Sequence, residues 1–215
     1  MRRGLVSDDA VAPADTRADV APDAPLPADA AADALADALA DASVGCKPKG
    51  DDLLVNGSFE LPAQAKDTRT NSTDPDFLPG WTLVAPAWGD FWLENGKPAG
   101  KTRTKDGAQS VCLNSDGSGP SAVEQSFTTV VGARYELRLW LTDENVAGPS
   151  DAAVKVEIGS EVRTFDRKAD TGFVEKSIVF RAFDTKTLVR IGDQSPSAAW
   201  LSSPFVDLVS VRACE

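Results

Sequence analysis

Tyr135-Glu136-Leu137-Arg138-Leu139-Trp140-Leu141 alternates apolar and polar side chains with a period of two. In an extended chain this puts Tyr135, Leu137, Leu139 and Leu141 on one face and Glu136, Arg138 and Trp140 on the other, so the stretch predicts a strand with one buried face. Working outward, Val154, Val156 and Ile158 alternate in the same way, and Gly159-Ser160 makes a turn into a strand over 162–165. Comparable runs occupy 53–56, 81–84, 91–94, 109–114, 123–127, 173–182, 187–192 and 205–213, separated by Gly, Pro, Asn and Asp. No segment of this region holds a helical period. About ten short strands without helices imply an all-β fold, a two-sheet antiparallel β-sandwich of jelly-roll type. The stretch 62–80 has no such alternation and reads as a long loop, a feature that often carries function.

The strands occupy only part of the 215 residues. Residues 1–45 hold nine aspartates and three arginines, and so account for −6 of the net charge of −11. They contain no aromatic residue and are mostly Ala, Asp and Pro, which offers too little apolar surface to offset chain entropy. Asp29, Asp33, Asp37 and Asp41 recur every fourth residue, so any helix there suffers like-charge repulsion. The expected organisation is a disordered acidic tail or spacer over 1–45 and one globular domain over 46–215.

Both parts are acidic, which argues against nucleic acid as a partner and against docking on anionic lipid. No apolar run approaches a membrane span, and Met1-Arg2-Arg3-Gly4-Leu5-Val6-Ser7 is not followed by the apolar core of a signal peptide. Cys46 and Cys214 border the domain at its two ends. Domain ends often lie close together, so these two are candidates for a disulfide closing a very long loop; the alternative is three reduced thiols.

Catalysis is poorly supplied. Without histidine the chain lacks the usual general base and the commonest zinc ligand, and neither a nucleophile elbow nor a phosphate loop is present. The expectation is a non-enzyme. In 205–213, alternation puts Asp207 on the face of Phe205, Val209 and Val211, and a buried carboxylate demands a partner. Glu60 ends the first strand beside Phe59. If the first and last strands are neighbours, Glu60 and Asp207 meet as hard oxygen ligands suited to structural calcium. Backbone amides around Asp207 and a surface position for Glu60 are the alternative.

Several motifs recur in a characteristic order: Leu54-Val55-Asn56-Gly57-Ser58-Phe59-Glu60, Pro79-Gly80-Trp81-Thr82, Asp106-Gly107-Ala108-Gln109-Ser110-Val111, Gln125-Ser126-Phe127, Gly132-Ala133-Arg134-Tyr135-Glu136-Leu137 and Phe205-Val206-Asp207-Leu208-Val209-Ser210-Val211. In this order and spacing the chain resembles the domain-of-unknown-function 642 family, its choice-of-anchor relatives, and carbohydrate-binding modules with the galactose-binding-like fold. The resemblance covers residues 52 to 213. It implies a jelly roll, often a structural calcium held at the positions of Glu60 and Asp207, and frequently polysaccharide binding outside the cell or on its surface. The second acidic residue that the family often carries beside the aspartate is replaced here by Val206 and Leu208.

Sugar recognition pairs aromatic faces with polar groups that fix the hydroxyls. Trp81, after the Pro-Gly turn, reads as core. Trp140 alternates outward beside Arg138 and is the leading stacking platform, unless a loop covers it. Trp88, Trp92 and Trp200 are further aromatic candidates, and Asn145 follows the strand that bears Trp140. The expected function is a non-catalytic extracellular polysaccharide-binding module with structural Ca²⁺. The alternative is a cell-surface or matrix protein–protein interaction module without sugar affinity.

Overall fold

The computed structural model describes residues 45–64, 68–70, 76–84, 91–95, 103–113, 121–143, 152–167, 172–195 and 203–215. The acidic segment 1–44, Trp88, Asn145 and Trp200 lie outside the described residues. No helix occurs among those described. Twelve strands do: β1 (Pro48–Lys49), β2 (Thr68–Thr70), β3 (Thr82–Val84), β4 (Phe91–Asn95), β5 (Gln109–Cys112), β6 (Ala122–Thr128), β7 (Arg134–Asp143), β8 (Ala152–Ile158), β9 (Glu161–Arg167), β10 (Val174–Arg181), β11 (Lys186–Asp193) and β12 (Pro204–Cys214). β2 lies within the stretch expected to be loop.

All pairings are antiparallel and build two sheets. One sheet runs β10-β7-β12-β5-β4-β2, with β1 joined to the end of β12; the other runs β3-β6-β11-β8-β9. Leu137, Leu139 and Leu141 of β7 are fully buried, as the alternation requires, and face Val154, Val156, Val189 and Ile191 of the second sheet across a shared core. Trp81 is buried against Phe59, ring centroids 5.4 Å apart. The fold is the expected β-sandwich.

The segment 53–56 is not a strand. It runs beside β12, with Leu53 N–H donating to the Val211 carbonyl (2.9 Å) and Val209 N–H to that of Gly57 (2.8 Å). Asn56 (φ 54°) and Phe59 (φ 58°) then take left-handed backbone conformations that break the pleat. At the domain's ends Pro48 pairs with Cys214, and Cys46 is disulfide-bonded to Cys214 across 168 residues of sequence. Cys112 is a buried thiol.

Candidate functional site

The site begins with the turn at Asn56-Gly57-Ser58-Phe59-Glu60, where each residue type has a local cause. Asparagine tolerates the left-handed region, and here its side chain also clamps two loops. Asn56 Nδ2 donates to the carbonyls of Leu61 (2.7 Å) and Pro79 (3.1 Å), while Oδ1 accepts from Leu61 N–H (3.0 Å). The Trp81 indole N–H donates to the Asn56 carbonyl at 3.1 Å. Phe59 drops into the core, and Glu60 is thereby delivered to the segment 105–109.

That segment is held by two carboxylates. Glu60 Oε1 accepts the backbone N–H groups of Ala108 (3.0 Å) and Gln109 (2.9 Å). Asp207 Oδ2 accepts those of Lys105 (2.7 Å) and Asp106 (3.1 Å), and Asp207 Oδ1 accepts Leu208 N–H (2.7 Å). Gly107, between the two pairs of amides, has φ 55°, and a Cβ there would stand 2.3 Å from Glu60 Oε1. Glycine therefore lets the backbone lie against the carboxylate.

Asp207 is reached differently from the expectation. The β7–β12 register shifts between Asp207 and Ser210, where Leu208 has φ 47°. Before this bulge Phe205 and Asp207 pair with Thr142 and Trp140 and share their face, which turns away from the second sheet; after it Val211 pairs with the core residue Leu137. Asp207 thus does not share the face of Val209 and Val211. It is fully buried because the segment 105–109 lies over it. Burial pushes its pKa up to about 6, opposed by the three amide hydrogen bonds and reinforced by Glu60.

The donor set bears on calcium. No Lys or Arg side chain among the described residues pairs with Glu60 or Asp207, so the two negative charges face each other with amide dipoles alone to offset them. A hard dication suits that pair. Glu60 Oε2 and the second lone pair of Asp207 Oδ1 remain as acceptors, and any further ligands would be carbonyl or water oxygens, since no third acid joins them in a cluster among the described residues.

Above this hub lies the outward face of the larger sheet. The ladder places Thr142, Phe205, Cys112 and Trp92 in one row across β7, β12, β5 and β4. Trp140 stands on the next level of β7, with Glu175 of β10 opposite it. Trp92 and Trp140 are half-buried and Arg138 is exposed, so three of the expected ligand residues share one face. Trp140 is not bare: Lys105 Nζ sits 3.9 Å from its ring centroid. Arg103 lies over Phe205 (5.4 Å) and bonds the buried Glu94 at 3.0 Å. Arg138 bonds Glu136 through Nε (3.0 Å) and approaches Glu175 (3.7 Å). Sequence reasoning misses Lys105, Arg103 and Glu94. The motif that begins at Asp106, just after Arg103 and Lys105, is visible in the sequence, but the sheet face this segment covers is settled only by the path of 103–109.

Residues 52–212 match the model of the family described as "Protein of unknown function (DUF642)", and the chain belongs to that family. No protein of curated function matches the sequence. Among solved structures, a family 61 carbohydrate-binding module in complex with β-1,4-galactotriose is 13% identical, with 76% of this chain and 99% of that chain covered and a TM-score of 0.45. A xylan-binding domain from Paenibacillus barcinonensis is 15% identical, covering 79% and 98%, with a TM-score of 0.42. An arabinose-bound α-L-arabinofuranosidase is 11% identical, covering 80% of this chain but 27% of that one, with a TM-score of 0.48.

Proposed function

We propose that this chain is a non-catalytic, extracellular carbohydrate-binding module that holds a polysaccharide on the outward face of the β10-β7-β12-β5-β4-β2 sheet. The observation that carries the reading is that Trp92, Trp140 and Arg138 occupy that one face. The two tryptophans stand on strands three positions apart, about 14 Å at ordinary strand spacing, on either side of the segment 103–109 that covers Phe205 and Asp207, so a glycan reaching both would cross that segment. Lys105, from the loop 103–109, lies over the Trp140 ring, so a pyranose would stack on that ring by displacing the flexible ammonium. The Cys46–Cys214 disulfide supports an oxidising, extracellular setting.

Structural calcium is part of the proposal. Glu60 and Asp207 would hold it, and it would neutralise the two carboxylates beneath Lys105 without taking part in ligand binding. The test of the main reading is affinity electrophoresis against soluble polysaccharides chosen from a glycan array run with and without Ca²⁺. Trp140→Ala and Trp92→Ala should each weaken retardation about tenfold. Parental mobility in both variants, on every retarding glycan, would dispose of this face as the binding surface.

A protein-interaction module has one observation in its favour. Phe183 is 68% exposed and Leu188 47%, and both line a groove of about 560 Å³ rimmed by Glu157, Lys186 and Arg190. An array without hits, together with a partner whose capture is abolished by Phe183→Ala, would favour that reading.

A further inference from the structure

Along β7 from Trp140, the same face carries Arg138 opposite Ser210 and then Glu136 opposite Arg212. With Pro48 of β1 as a wall, these residues enclose a well of about 200 Å³. Its polar groups are not equivalent. Glu136 is largely buried, and its Oε2 is bonded by Arg138 Nε, while Arg138 also approaches Glu175, so both of their charges are answered within the sheet. Arg212 is exposed and forms no ion pair among the described residues. In a chain of net charge −11 the lining thus sets two guanidinium groups against one carboxylate, beside an aromatic platform. A planar guanidinium fork matches a carboxylate in bidentate geometry, which neither a hydroxyl nor an ammonium does as well.

We propose that this well takes the carboxylate of a uronic acid residue in an acidic polysaccharide, docked on Arg212 while a neighbouring sugar of the same chain lies on Trp140. The inference rests on the glycan-binding reading of this face and specifies the ligand class. Ser210 and Arg138 are placed to bond the ring hydroxyls, and the spacing of Glu136 and Arg138 from Trp140 along β7, about 7 to 14 Å, leaves room for the adjoining residue.

The experiment compares polygalacturonate, the same polymer with its carboxyl groups methyl-esterified, and a neutral galactan, using the full chain in affinity gels at low and high NaCl. Polygalacturonate should be retarded at least tenfold more strongly than its ester, and 0.5 M NaCl should remove most of the difference. Arg212→Ala should cost about tenfold on polygalacturonate and nothing on the ester or the galactan, Arg212→Lys should restore part of the loss, and thermal midpoints should match the parent. Equal retardation of acid and ester, or an Arg212→Ala variant that binds polygalacturonate like the parent, overturns the uronate assignment. Retardation by neutral galactan that Trp140→Ala abolishes would show in the same gels that the glycan-binding reading survives such a result. Failure of all three polymers to retard the chain overturns the uronate assignment, and a glycan array without hits would overturn the glycan-binding reading as well.

Discussion

At Gly57 the chain passes so close to β12 that a Cβ would stand 1.9 Å from the Val209 carbonyl oxygen. Neither backbone can retreat, because Val209 N–H is bonded to the Gly57 carbonyl at 2.8 Å. Gly57→Ala should destabilise the domain by about 2 kcal/mol or more, read as a lower urea midpoint with an unchanged denaturant slope; a parental midpoint would show that the approach is not tight. Asp207 makes a pH prediction. Its native carboxyl, with a pKa of about 6, holds a proton more tightly than the unfolded one, whose ordinary value is 3.8. Between those values the native state carries the extra proton, so this group makes stability fall as pH rises from about 4 to 6 and restores it on acidification. In chelator the thermal midpoint should therefore rise from pH 7 to pH 5, and Asp207→Asn should abolish that rise. With Ca²⁺ bound to an ionised Asp207 the trend should reverse, since protons would compete with the ion. Identical pH curves with and without Ca²⁺ would remove calcium from the proposal.

At the scale of elements, the inward face of β7 is legible from its alternation alone, because a strand half-buried over its whole length must repeat every second residue. Ten of the twelve described strands fall where the sequence pattern expects one; β1 is only two residues long, and β2 lies in a stretch without apolar alternation. The bulge in β12 is hidden for a different reason. Phe205, Asp207, Val209 and Val211 keep a perfect period of two, yet one irregular residue at Leu208 exchanges the faces. The reach of 103–109 across the sheet is equally hidden, since it depends on carboxylates that come from 48 and 102 residues away in sequence. That segment places Lys105 over Trp140, which makes the cover testable. Lys105→Ala should raise acrylamide quenching of the Trp140 contribution, taken as the difference from Trp140→Phe in each background. Unchanged quenching would mean the ammonium does not shield the ring.

For the molecule as a whole, the disulfide closes a loop that contains every described strand, and in the chain-entropy model such a closure is worth about 5 kcal/mol against the unfolded state. It also has a mechanical consequence. Tension applied between residue 45 and residue 215 passes from Cys46 through the sulfur bridge to Cys214 and does not load the sheets in between. Under oxidising conditions the domain should then give no unfolding step when stretched from those two points, and after reduction it should yield a length gain corresponding to the 168 residues that the bridge spans. Single-molecule stretching with and without a reductant measures this directly, and a full-length step before reduction would show that the bond is not formed. A module loaded in this way can be hauled along its own backbone without being unravelled, so under the proposed function the grip of the binding face on its glycan would set the force at which it lets go.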